Sequence, residues 1–142
     1  MLDEIIRSAG QLLDAPVQQE AGSWFIDVWV FLDPHDETEE ARRQIVHLFE
    51  GEARDLLYLS STVGVYEPGM DLAPLLRQMI GAQRCSLYLS QPDGDGAEHL
   101  KIAAVVEIEG LVSTRLSDLV REVAVFADRF EADMFGRDVD VR

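Results

Sequence analysis

Three histidines, one cysteine and a large number of carboxylates are the groups in this chain that could bind a metal or move a proton. His35, His47 and His99 have no histidine or cysteine at ligand spacing. Neither H-x-x-x-H nor C-x-x-C occurs, so no metal site is expected. Cys85 is the lone cysteine and sits among apolar neighbours, which predicts a buried, inert thiol rather than a nucleophile. Asp93-Gly94-Asp95-Gly96 resembles the start of a calcium loop but lacks the third acidic position and the closing glutamate, so a hairpin turn is expected. No G-x-S-x-G, G-x-G-x-x-G or Walker sequence is present. The acidic run Asp36 to Glu40 and His35 beside it read as a solvated surface. No catalytic residue and no cofactor is expected.

The charge balance says more about partners than about chemistry. Against 27 acidic residues stand 12 basic ones, eleven arginines and Lys101, giving a formal charge of −15. Such a surface repels phosphate backbones, and no basic stripe overrides it, so direct nucleic-acid binding is not expected. The same field attracts basic partners and speeds encounter with them, although charge of this kind also serves plain solubility. Apolar residues make up 47% of the 142, enough for one core, and a single domain over 1–142 is expected. The longest apolar runs, such as Val28-Trp29-Val30-Phe31-Leu32, fall far short of the ~20 residues of a membrane span. Met1-Leu2-Asp3-Glu4 is acidic where a secretory leader would be basic, so no membrane association and a cytosolic location are expected.

The elements follow from periodicity. Leu2, Ile5, Ile6, Ala9, Leu12 and Leu13 recur at three-four spacing and predict a first helix, closed by Ala15-Pro16. Residues 24–32 are aromatic and β-branched and predict a strand. Residues 34–50 read two ways. Asp33-Pro34 and the glutamates after it resemble a helix start, with Ala41, Ile45, Leu48 and Phe49 on one face. Alternatively 34–41 is a charged loop and 43–50 is a strand; local pattern alone leans to the helix. Leu56 to Tyr66 predicts a strand ending at Glu67-Pro68-Gly69. Asp71 can cap a short helix with Leu72, Leu75, Leu76, Met79 and Ile80 apolar, Pro74 in its first turn and Gly81 as a left-handed terminator. Residues 85–90 and 99–109 alternate and predict a β-hairpin. Ser113 or Thr114 then caps a long helix with Leu116, Leu119, Val120, Val123, Phe126, Ala127, Phe130 and Met134 inward.

Strand alternation puts Trp24, Ile26, Val28, Leu100, Ile102 and Val106 on one sheet face, under the helices. The other face should be polar, yet it would carry Phe25, Trp29, Phe31, Tyr58 and Tyr88 among Asp27, Ser60, Thr62, Ser86, Ser90 and Lys101. Aromatic side chains among small polar ones suit a contact surface, and these five are the expected partner-binding residues. The competing expectation is that a second layer, most simply the 71–80 helix, covers them.

Helix, three strands, short helix, β-hairpin and long helix is an order with a known counterpart. With Leu57-Tyr58-Leu59-Ser60-Ser61-Thr62-Val63-Gly64, the Asp71-to-Ile80 segment and Leu116-Ser117-Asp118-Leu119-Val120-Arg121, it resembles the YbjN-like proteins and the type III secretion chaperones of the Tir-chaperone kind. The resemblance spans nearly the whole chain as order and pattern, not as a fingerprint motif. It implies an α+β fold, a twisted antiparallel sheet with helices packed on it, and a strand at 43–50. It also implies an ATP-independent, commonly dimeric module that binds extended segments of client proteins, which the charge argument above would make basic ones. In that family the short middle helix contributes to dimerisation, which points to Leu72, Leu75, Leu76 and Met79. The longer acidic loop at 33–42 departs from the secretion chaperones. A regulatory or structural module that only self-associates is the alternative.

Overall fold

The computed structural model describes residues 1–30, 42–53 and 55–135. Its elements are α1 (Leu2–Leu12), β1 (Val17–Glu20), β2 (Ser23–Val30), β3 (Arg42–Glu50), β4 (Leu56–Tyr66), α2 (Ala73–Gln78), β5 (Ser86–Leu89), β6 (Glu98–Glu107) and α3 (Ser113–Phe135). One 3₁₀ turn, Met79–Gly81, extends α2. The fold is α+β, as the pattern implied. Six strands form one antiparallel sheet in the order β1-β2-β3-β4-β6-β5.

Two features differ from what local pattern alone suggested, the first of them as the resemblance implied. Residues 43–50 form a strand rather than the end of a helix, because Val46 and Leu48 point into the core while Ile45, His47 and Phe49 point outward. Ile45, Leu48 and Phe49 therefore do not share a face. Val17–Glu20 adds a sixth strand, joined to β2 by a two-residue turn in which Ala21 and Gly22 both have positive φ, 50° and 81°. That backbone matches the twist of a hairpin, but an L-alanine adopts it with strain.

The helices lie on one side. α3 packs across β2, β3, β4 and β6, and α1 packs against α3. Phe130, Ile6, Ile26, Leu48, Leu57, Leu59, Leu100, Ile102 and Leu116 are fully buried in the resulting core. Asp3 begins α1 and accepts hydrogen bonds from Trp24 Nε1 and Arg7 Nε, each 2.9 Å, tying the helix to β2. Leu75 anchors α2 in the same core, and Gln78 Nε2 donates to Asp133 of α3 at 3.3 Å. So the 71–80 segment sits with α3 and does not cover the opposite face. Asp71 accepts from the Ala73 N–H at 3.1 Å, while Gly81 lacks the left-handed φ expected of a terminator.

Where β3 and β4 cease to pair, beyond His47 and Ser60, side chains replace the ladder. Gln44 Nε2 donates to Ser61 Oγ (2.8 Å) and to the Thr62 carbonyl (3.0 Å), and Ser61 Oγ donates to the Ile45 carbonyl (2.7 Å). Buried backbone acceptors are thereby satisfied. Asp128 of α3, 1% exposed, takes Arg42 Nε on both carboxylate oxygens at 3.2 and 3.1 Å. Gly64 is required by close approach: a Cβ there would lie 2.4 Å from the Phe135 ring.

Candidate binding face

The strand registers bring the outward side chains into rows. Phe25 of β2 opposes His47 of β3, which opposes Ser60 of β4, which opposes Ala103 of β6 and then Ser86 of β5. Phe49, Tyr58 and Val105 form the adjoining row, and Thr62, Lys101 and Tyr88 another. Trp29 opposes Arg43.

Across these rows runs a continuous series of rings. Phe25 stacks on His47 (centroids 4.6 Å, planes 9° apart), His47 tilts toward Phe49 (5.1 Å, 33°), and Phe49 stacks on Tyr58 (5.4 Å, 11°). Arg43 places its guanidinium 5.3 Å from the Trp29 ring centroid and pairs with Asp27. Such contacts hold rings in fixed orientations at modest energy, on the order of 1 kcal/mol each. None of these rings belongs to the core, and the helices pack on the other side of the sheet. Trp29 is 49% exposed and Val105 51%, with Phe49 and Tyr88 also exposed.

The expected residues are thus placed as follows. Phe25, Trp29, Tyr58 and Tyr88 share the open face, Phe25 and Tyr58 half-buried by their neighbours. Phe31 lies outside the described residues. Ser60 and Thr62 are on this face but covered, 6% and 5% exposed. Ile45, His47 and Phe49 belong to it and were not foreseen, because the strand at 43–50 could not be assigned from local pattern; Val105 of β6, on the Lys101 side of its strand, belongs to it too. Of the residues the resemblance placed at a dimer interface, Leu75 is fully buried within the protomer, so its side chain is not on the surface. Leu72 and Met79 are half-buried against the core. Leu76 is exposed, and Ile80 beside it is 94% exposed.

Burial shifts two titratable groups of the face. Burial, and then the charge of Lys101, holds the His47 pKa below its ordinary 6.5, so the ring is neutral at pH 7. Burial raises the Tyr88 hydroxyl, and the side chain of Ser60 partly offsets it. Cys85 lies off this face, where burial and then Glu122 push its thiol up to about 12. Asp93 Oδ1 accepts from the Asp95 and Ala97 N–H groups at 2.8 and 3.0 Å, which makes its loop an ordinary hairpin turn. No group of three metal-ligating side chains is found among the described residues. No helix among them is long and apolar enough to cross a membrane.

Two cavities open on the face. One of about 540 Å³ lies between Phe49, Leu56 and Tyr58 and the turn carrying Glu50, Gly51, Glu52, Ala53 and Asp55. A second, about 220 Å³, is lined by Phe25, Asp27, Arg43 and Ile45 with Pro16 and Gln18. The arrangement offers ring surfaces and carboxylates.

No protein-family model and no curated protein matches the sequence. Solved structures do match the fold. YbjN from E. coli, a proposed transcription regulator, aligns with a TM-score of 0.59 at 14% identity, covering 96% of this chain and 93% of that one. The Yersinia pestis type III secretion chaperone SycH, solved in complex with a stable fragment of YscM2, aligns with a TM-score of 0.55 at 13% identity, covering 92% and 99%. The chain therefore has a YbjN-like, secretion-chaperone-like fold.

Proposed function

We propose that this chain, built on the fold shared by YbjN and SycH, is a non-catalytic, ATP-independent module that holds a segment of a client protein on the open face of its sheet. One observation carries the reading: the series Phe25, His47, Phe49, Tyr58, with Trp29 beside it, lies on the side of the sheet away from the helices. Fixed rings among small polar groups give contact area at low entropic cost. An extended client can lay its side chains into these rows and pair with a sheet edge through its backbone. The complex of SycH with a YscM2 fragment lends the fold a precedent for holding polypeptide. The −15 charge favours clients with basic stretches, including nucleic-acid-binding proteins, and disfavours nucleic acid itself. We place the module in the cytosol.

Exposed Leu76 and Ile80, with Leu72 and Met79 behind them, form a separate apolar patch, which we assign to homodimerisation. The same patch favours a second reading, a regulatory or structural module that self-associates and holds no client. Capture from cytosolic extract at low and high salt, with wild type and Trp29→Ala, tests the first. It predicts one or a few partners, weakened by salt and lost with Trp29→Ala while the melting temperature holds. A wild-type dimer that captures nothing the variant does not capture would sink it and leave the second.

A further inference from the structure

The larger cavity joins exposed ring surface to carboxylates that no described cation pairs with. Its floor is the stacked pair Phe49 and Tyr58, and its rim carries Glu50, Glu52 and Asp55. All three acids are exposed, and among the described residues none pairs with a cation. The turn itself is closed by a hydrogen bond from the Gly51 N–H to the Leu56 carbonyl, 2.9 Å. Gly51 is needed there, since a Cβ would stand 2.6 Å from the edge of the Tyr58 ring. The backbone of the turn thus rests on Tyr58 and holds the carboxylates beside exposed ring surface.

We infer that this groove seats the guanidinium of an arginine in the client. The inference rests on the client-holding reading and adds where the basic residue sits. A planar cation is attracted by ring faces and accepted by carboxylates, and arginine does both at once. The face already contains the same contact internally, where Arg43 lies over Trp29 and pairs with Asp27. By sequence, residues 50–55 carry three acids and one base, Arg54, a net formal charge of −2 for a ligand that brings one positive. An apolar or acidic side chain would leave those charges uncompensated.

The test uses the full chain and two fluorescein-labelled extended peptides of alternating valine and threonine. One has a central arginine; the other has citrulline, its neutral near-isostere. The arginine peptide should bind about tenfold more tightly, with the gap shrinking in high salt. The triple variant Glu50→Gln, Glu52→Gln, Asp55→Asn should bind both peptides alike. Phe49→Leu should narrow the gap while the fold, read by circular dichroism, persists. Equal affinity of the two peptides for wild type, both lost on Trp29→Ala, would overturn the arginine seat and leave the client-holding reading standing. Binding of neither peptide to wild type would count against both.

Discussion

His47 lies flat on Phe25, centroids 4.6 Å apart and planes 9° from parallel, with the Phe49 ring tilted against it at 5.1 Å. A neutral imidazole fits this slot as a phenyl ring would. A protonated one does not, because it is desolvated there and Lys101 adds a like charge.

Acid should therefore loosen the protein through His47. Its folded pKa is depressed below 6.5, so as pH falls the unfolded chain takes up the proton first. The stabilising contribution is complete above about pH 6.5 and is lost as pH drops through the lower folded value. His47→Phe keeps the stack and removes the titration. Melting curves at about pH 7.5 and about pH 5.5 should show wild type losing more than the variant. Equal losses would mean that His47 does not couple to folding.

The two tryptophans should behave as opposites. Trp24 is 5% exposed and donates to Asp3, while Trp29 is 49% exposed. Trp24→Ala should cost ~3–5 kcal/mol, and Trp29→Ala under ~1 kcal/mol. Acrylamide should quench the fluorescence of Trp24→Phe, which retains Trp29, far more than that of Trp29→Phe. Similar quenching in the two variants would contradict the open face.

Gly64 and Phe135 should be coupled. Gly64→Ala drives a methyl toward a ring 2.4 Å away and should cost ~1–3 kcal/mol. In a Phe135→Ala background the methyl gains room, so the double-mutant cycle should show a favourable interaction near 1 kcal/mol or more, within the range of ~0.5–3 kcal/mol for touching residues. Strict additivity in urea melts would refute the contact.

Cys85 should be a poor nucleophile while the chain is folded. Its thiol, pushed up to about 12 by burial and then by Glu122, is scarcely ionised at neutral pH. Alkylation by iodoacetamide at about pH 8 should run at least ~100-fold slower than in denatured protein. Glu122→Gln should speed it, since the amide removes the negative charge, although it keeps an oxygen for only one of the two N–H groups, of Gln83 and Arg84, that the two carboxylate oxygens accept. An unchanged rate would leave burial as the sole cause.

Strong periodicity made α1, β2, β4, the β5–β6 hairpin and α3 legible from the residues alone. β3 was not, for the same reason that it matters. Ile45, His47 and Phe49 face outward while Val46 and Leu48 face inward, so both sides are apolar or aromatic and the alternation disappears. The resemblance, not the local pattern, favoured the strand. β1 was hidden because Val17-Gln18-Gln19-Glu20 is polar and its turn uses Ala21-Gly22 where asparagine or glycine is usual at the first position. Nothing local in the sequence marked Asp128 as buried. It is buried because Arg42, distant in sequence, meets it across the core edge. Four of the five aromatic residues assigned from alternation fall on one described face, and their neighbours His47 and Phe49 came into view only once the register was known.

With every described helix pressing on a single side of the sheet, the chain's obligations divide. Side chains beneath α3 answer to folding; those on the reverse answer to whatever they touch. Substitutions at the exposed positions of the reverse can accumulate at little thermodynamic penalty, so that surface is free to change its chemistry while the scaffold stays put.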